Sequence, residues 1–265
     1  MYCPSFVPAP RPRASAAASS GVRLDGVTLL RGPRVVLENL SLDLNDPRIG
    51  VVGDNGAGKS SLFRLICGLD AAQSGRVTIG GREVVEGAAR ELRVGMMFQN
   101  PDEQIVFPTV EEELALSLSG GGLGRGAAIS RARAWLHARG LGAWSARAVS
   151  GLSQGQRQHV CWLALLIAAP RVLLLDEPFA SLDLPSQALL QHEVSQADQQ
   201  VIVATHQLDH VRRFPRVIWL DQGRVRADGP GAQVCGAYEA DVAARWVARG
   251  GSTSAAGELR TVHAS

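Results

Sequence analysis

Lysine is almost missing from this chain. Of 27 basic residues, Lys59 is the one lysine and the other 26 are arginines. A sequence that uses arginine for nearly every cation and keeps a single lysine points to a site that a planar guanidinium cannot serve. Charge of one sign is also lacking. The 27 Lys and Arg face 25 Asp and Glu, a net charge of +2, which argues against a bulk surface built for nucleic acid and equally against an acidic one. The four cysteines, Cys3, Cys67, Cys161 and Cys235, lie far apart with no C-x-x-C pair. That excludes a zinc framework and reads as reduced thiols in a cytosolic protein. No long hydrophobic run occurs. The longest, Val160 to Ala169, stops at Pro170 and Arg171, well short of the ~20 residues that span a bilayer. Any membrane association therefore has to come through a partner or a surface. What is present, 46% hydrophobic and 20% charged residues over a length of 265, suits one globular α/β domain with appendages.

The order of patterns along the chain supports that class. Residues 1–20 are rich in Pro, Ala, Ser and Arg and read as a disordered tail, and residues 250–265 read as a flexible one. Between them, over 21–249, strand and helix signals alternate. Strands are expected at Leu37 to Leu44, Ile49 to Val52, Arg76 to Ile79, Val94 to Phe98, Val172 to Leu175, Val201 to Ala204 and Val217 to Leu220. Helices are expected at Ser60 to Leu69 and Gln156 to Ala168, with others between the later strands. This alternation implies a parallel sheet covered on both faces. A mostly helical stretch over about 102–152, broken by the flexible Gly120 to Gly126, reads as an inserted lobe.

Two segments carry chemistry. Gly53-Asp54-Asn55-Gly56-Ala57-Gly58-Lys59-Ser60, with Ser61 next, fits G-x-x-x-x-G-K-[ST] in full. It follows a short apolar strand and opens an amphipathic helix, the context the motif requires. Glycines let backbone N–H groups turn inward onto phosphate oxygens, and the helix N-terminus adds positive potential. Lys59 then reaches the β- and γ-phosphates and the Ser60 hydroxyl binds Mg²⁺. The second segment, Val172-Leu173-Leu174-Leu175-Asp176-Glu177, is a buried strand ending in two acids, at the sheet edge where α/β folds bind ligands. Asp176 can hold Mg²⁺, and Glu177 can take a proton from an attacking water.

Leu152-Ser153-Gln154-Gly155-Gln156, just ahead of a helix, resembles the LSGGQ signature of ATP-binding cassette (ABC) proteins, with Gln154 in place of the first glycine. The order also agrees: phosphate loop, Gln99, signature, Asp176-Glu177, Ser181-Leu182-Asp183, then His206. The resemblance covers residues 21–235. It implies a P-loop NTPase with a RecA-like parallel core, an N-terminal antiparallel β region and an inserted α-helical subdomain. It also implies an ATPase dimer, a homodimer favoured, closing head to tail on two ATP molecules. Lys59 of one subunit would then face Ser153, Gly155 and Gln156 of the other. Glu177 becomes the base, His206 orients the γ-phosphate and water, Gln99 joins Ser60 and Asp176 at Mg²⁺, and Asp183 communicates across the dimer. Where the family usually has an aromatic residue stacked on adenine, this chain has Arg31, whose guanidinium plane can stack on a purine.

Gln99-Asn100-Pro101-Asp102-Glu103-Gln104, followed by Thr109-Val110-Glu111-Glu112-Glu113, is similar to the ATPases of energy-coupling factor importers. That similarity implies two separate membrane partners, a transmembrane coupling protein and a substrate-binding protein, and a peripheral position on the cytoplasmic face of the inner membrane. The compact C-terminus resembles the ATPases of dedicated biotin systems, with cobalt or nickel import next and a soluble ATPase without transport role as the alternative class.

Overall fold

The structure, a computed structural model, describes residues 21–119, 122–180 and 182–249. The expected tails at 1–20 and 250–265, Gly120, Gly121 and Ser181 lie outside the described residues. Two sheets form the frame. The first has the order β2-β1-β4-β5 and is antiparallel throughout. It contains β1 (Val22–Arg31), β2 (Arg34–Leu44), β4 (Ser74–Ile79) and β5 (Arg82–Glu83). β1 was not among the strands expected from alternation, for a local reason. Gly26, at φ 57°, sits where the β1–β2 register slips between Leu24 and Val27. The slip returns Val27 to the buried face beside Val22, Leu24 and Leu29, so the period of two breaks in mid-strand.

The second sheet has the order β10-β9-β3-β8-β7-β6. It is built from β3 (Arg48–Val52), β6 (Val94–Met97), β7 (Val172–Asp176), β8 (Gln200–Ala204), β9 (Arg216–Asp221) and β10 (Arg224–Gly229). The pairs are parallel except β9 with β10, which form a hairpin through Gln222 and Gly223 at φ 48° and 77°, left-handed positions that suit a tight hairpin turn. Every residue of β7 and β8 is buried, as strands covered on both faces require. β3, β8 and β7 are neighbours in register: Val51 pairs Ala204, and Ala204 pairs Asp176. That register puts the C-terminal ends of three strands side by side.

Among the described residues, six α-helices cover this frame. α1 (Lys59–Ile66) buries Leu62, Phe63, Leu65 and Ile66 in the core that joins the two sheets. It ends earlier than Leu69 because Gly68 takes φ 67°, a stop signal for a helix. α2 (Val110–Leu118) and α3 (Arg125–Ala138) form the inserted lobe with the start of α4 (Gln154–Ile167). Their cluster includes Val110, Leu114, Ala132, Leu136, Val160 and Leu163. Glu113 fixes the entry to the lobe by accepting from the N–H groups of Val106 and Phe107 at 2.9 and 2.8 Å. α5 (Leu184–Gln196) and α6 (Gly231–Ala248) complete the set. Cys67, Cys161 and Cys235 are free and buried, and burial pushes their thiols up to about 11, 12 and 11, which leaves them unreactive.

Candidate functional site

The loop between β3 and α1 is shaped by two glycines that admit no side chain. A Cβ on Gly53, at φ 145°, would lie 2.1 Å from the Leu220 carbonyl oxygen; one on Gly58, at φ 108°, would lie 2.8 Å from Leu37 Cδ2 and 3.0 Å from the Val36 oxygen. Gly58 is the N-cap of α1 and offers no side-chain cap, so the first N–H groups of the helix stay open to an anion. Lys59 is folded back under the loop. Its Nζ donates to the carbonyl oxygens of Gly53 and Asp54 at 2.8 and 3.2 Å. Burial lowers the pKa of this ammonium, against the pull of Glu177, Asp176 and Asp54.

The adjacent strand ends bring the acids to the same place. Asp176 closes β7, and burial raises its pKa while the Ser60 hydroxyl bonds to it. Glu177 follows at φ 47°. Its N–H donates to the Ala204 oxygen at 2.8 Å, which locks the residue against β8. Its Oε2 accepts from the His206 N–H at 3.2 Å and lies 2.9 Å from His206 Nδ1. Glu177 is 7% exposed, whereas the His206 side chain is 54% exposed, so the imidazole stands at the mouth. One cleft of about 750 Å³ brings together Gly53 to Ser61, apart from the buried Ala57, with Gln99, Asp176, Glu177 and His206. Ser60, Asp176 and Gln99 together offer hard oxygen donors, the set that Mg²⁺ takes.

Other expected residues stand elsewhere. Ser153 caps α4: its hydroxyl accepts from Gln156 N at 3.3 Å, and Gln156 Oε1 accepts from Ser153 N at 3.1 Å. Gly155 packs against the start of α5, and Asp183 caps that helix through Ser186 N at 3.0 Å. Within one chain these four residues do not line the Lys59 cleft. Arg31 does line it, with its guanidinium engaged at one edge. Asp70 binds it and also takes Arg64 Nε at 3.0 Å. Arg31 thus stands in an ion pair along the wall; a carboxylate bonds in the plane of a guanidinium and leaves its faces open to stacking. Arg34 lines the same wall, and among the described residues none pairs with its guanidinium. Asp54 also lines the cleft, and its carboxylate is held by α6, accepting from Tyr238 Oη at 2.7 Å.

Arg34, Val36 and Tyr238 line the cleft without having been singled out in the sequence. One signal for Tyr238 exists. It is one of two tyrosines, and with Asp241 and Arg245 it is spaced three and seven residues along one helix face.

Comparisons with known proteins agree with this geometry. A profile of the family described as ABC transporter matches residues 37–180. The chain is 45% identical over 227 residues to the biotin transport ATP-binding protein BioM of Rhodobacter capsulatus, a match covering 85% of this chain and 96% of that protein. It is 35% identical over 206 residues to the energy-coupling factor transporter ATP-binding protein EcfA1 of Ligilactobacillus salivarius, covering 75% and 73% respectively. Among solved structures, cbiO1 from Clostridium perfringens, described as part of the ABC transporter complex cbiONQ, is similar with a TM-score of 0.70 at 23% identity, over 86% of this chain and 94% of that one. That likeness concerns the fold alone.

Proposed function

The chain belongs to the ABC transporter family as an ATP-binding subunit that hydrolyses ATP, and from this premise we propose that it is the motor of an energy-coupling factor importer that takes up a micronutrient, biotin being the favoured cargo. The observation that carries the reading of the site is the Glu177–His206 pair held beside the Lys59 loop. The choice of cargo is supported by the similarity to BioM across nearly its whole length.

In this reading the loop N–H groups, Lys59 and the start of α1 bind the β- and γ-phosphates. Glu177 Oε2 accepts the proton of the attacking water. His206 holds that oxygen and, from the exposed mouth, reaches the γ-phosphate. Ser60, Asp176 and Gln99 would hold Mg²⁺, which supplies positive charge against the charge that builds on the phosphoryl oxygens. Burial raises the pKa of Asp176, and a cation held beside it would favour the charged carboxylate. A second copy of the chain would present its Ser153, Gly155 and Gln156 to the γ-phosphate, the open N–H groups of a helix start being suitable donors. Coupling and substrate-binding membrane proteins would complete the importer. Among the described residues no helix is long and apolar enough to cross a membrane, in keeping with peripheral attachment at the cytoplasmic face.

Uptake tests the proposal. Deleting the gene should abolish uptake of labelled biotin at nanomolar supply, and the wild-type gene should restore it while Glu177→Gln does not. Normal biotin uptake with failed cobalt or nickel uptake would replace the cargo and keep the motor. Intact uptake of all three would remove the importer role.

A further inference from the structure

Asp54 is a puzzle for a loop built to hold a polyanion. Its main chain belongs to the cradle: the carbonyl oxygen accepts from Lys59 Nζ at 3.2 Å and from Ala57 N at 3.1 Å. Its side chain adds a carboxylate at the second position of that loop. A negative charge there opposes a triphosphate by like-charge repulsion. The charge is not removed by protonation, because the Arg245 guanidinium, followed by the Tyr238 hydroxyl, holds the Asp54 carboxyl below the usual carboxylate range.

The remedy comes from the far end of the chain. Arg245 grips both carboxylate oxygens, Nη1 on Oδ2 and Nη2 on Oδ1, the latter at 3.2 Å. Tyr238 Oη donates to Oδ1 at 2.7 Å. A bidentate fork of this kind neutralises a carboxylate and fixes its direction. The clamp is itself anchored. Arg245 Nε lies 2.7 Å from Asp241 Oδ2, and Asp241 pairs with Arg226 at 2.6 Å. Tyr238 packs edge-on against Trp219 of β9 at 5.2 Å, and Arg226 lies over the same indole at 4.4 Å. A helix that follows the last strand of the sheet is thereby tied to a loop 191 residues earlier.

We propose that Arg245 and Tyr238 are positioning residues for ATP binding: α6 holds the Asp54 carboxylate in a fixed direction and cancels its charge, so that the loop accepts a triphosphate. The inference rests on the reading of the Lys59 cleft as the ATP site. Arg245 and Asp54 are 41% and 43% exposed, so solvent screening keeps the effect modest.

A double-mutant cycle on the full chain, read by calorimetric titration with Mg·ATP at low salt, tests it. Arg245→Ala should raise the Kd for ATP about three- to tenfold. The same substitution made in the Asp54→Asn background should change Kd by less than about twofold, because no charge remains to be cancelled. Arg245→Lys should recover part of the loss, and added salt should shrink the difference between wild type and Arg245→Ala. Melting curves report packing separately, and Arg245→Gln replaces Arg245→Ala in the cycle if the alanine variant does not fold. An equal loss of affinity in both backgrounds would mean that α6 acts only through packing and would overturn the proposal, as would no loss in either. Lys59→Ala serves as the control on the site itself. If that variant binds ATP as tightly as wild type, the cleft is not the ATP site; if it loses binding while the cycle fails, only the role of α6 is lost.

Discussion

Glu177 combines an acid, burial to 7% exposure and a left-handed backbone at φ 47°, and three substitutions separate what each contributes. Glu177→Gln keeps the shape and can still accept from the His206 N–H, but it cannot take a proton from water. Turnover should fall by about 10²-fold or more, the scale of a lost general base, while ATP binding persists and a closed dimer accumulates on a sizing column. Glu177→Ala deletes the buried acid and its contacts to His206 but keeps a side chain at positive φ. Glu177→Gly also relieves the backbone. An L-residue in the left-handed region costs ~1–2 kcal/mol, and glycine loses about 0.5–1 kcal/mol more entropy on folding. At the middle of each range, the difference leaves roughly 0.75 kcal/mol in favour of glycine over alanine. At about 2–4 °C per kcal/mol for a chain of this size class, Glu177→Gly should melt about 1–4 °C above Glu177→Ala by scanning calorimetry, and neither should turn over. A glycine variant that melts below the alanine variant would refute the strain argument. Near-normal turnover in Glu177→Gln would remove Glu177 as the base.

Two further outcomes follow from single contacts. Gly155→Ala should lower the thermal midpoint, because the new Cβ would lie 2.2 Å from Ser186 Oγ and 2.9 Å from Ser186 Cβ, a clash between α4 and α5 worth about 1–3 kcal/mol; an unchanged midpoint would mean that this contact yields freely. Arg34→Ala should weaken ATP binding several-fold more than Arg31→Ala, since Arg31 is already engaged by Asp70 and Arg34 has no ion-pair partner among the described residues, with its Nη2 3.9 Å from where a Gly56 Cβ would lie; titrations in which Arg31→Ala causes the greater loss would reverse the assignment.

Much of the site was legible because its chemistry is local. A phosphate loop needs its glycines, lysine and serine within eight consecutive positions, and a buried strand ending in acids announces itself by an unbroken apolar run. The helix boundaries moved by only a few residues: α1 stops ahead of Gly68 at φ 67°, and α4 starts at Gln154 behind its Ser153 cap. β1 escaped because the bulge at Gly26 breaks its alternation. β10 alternates between exposed and half-buried positions and so presents no buried stripe to read.

Residue types and short spacings by themselves determined the class of fold, the phosphate loop, the acid pair and the reserved lysine, because those features depend on backbone conformation and side-chain chemistry within a few residues. Tertiary structure decided everything that rests on distant partners. The pairing of β3, β8 and β7 put His206 on Glu177. The Asp70 carboxylate fixed Arg31 in an ion pair on the cleft wall. Packing of α6 on β9 carried Tyr238 and Arg245 to Asp54. An ion pair or a hydrogen bond across nearly two hundred residues depends on where two chain segments meet in space, and no local pattern encodes that meeting.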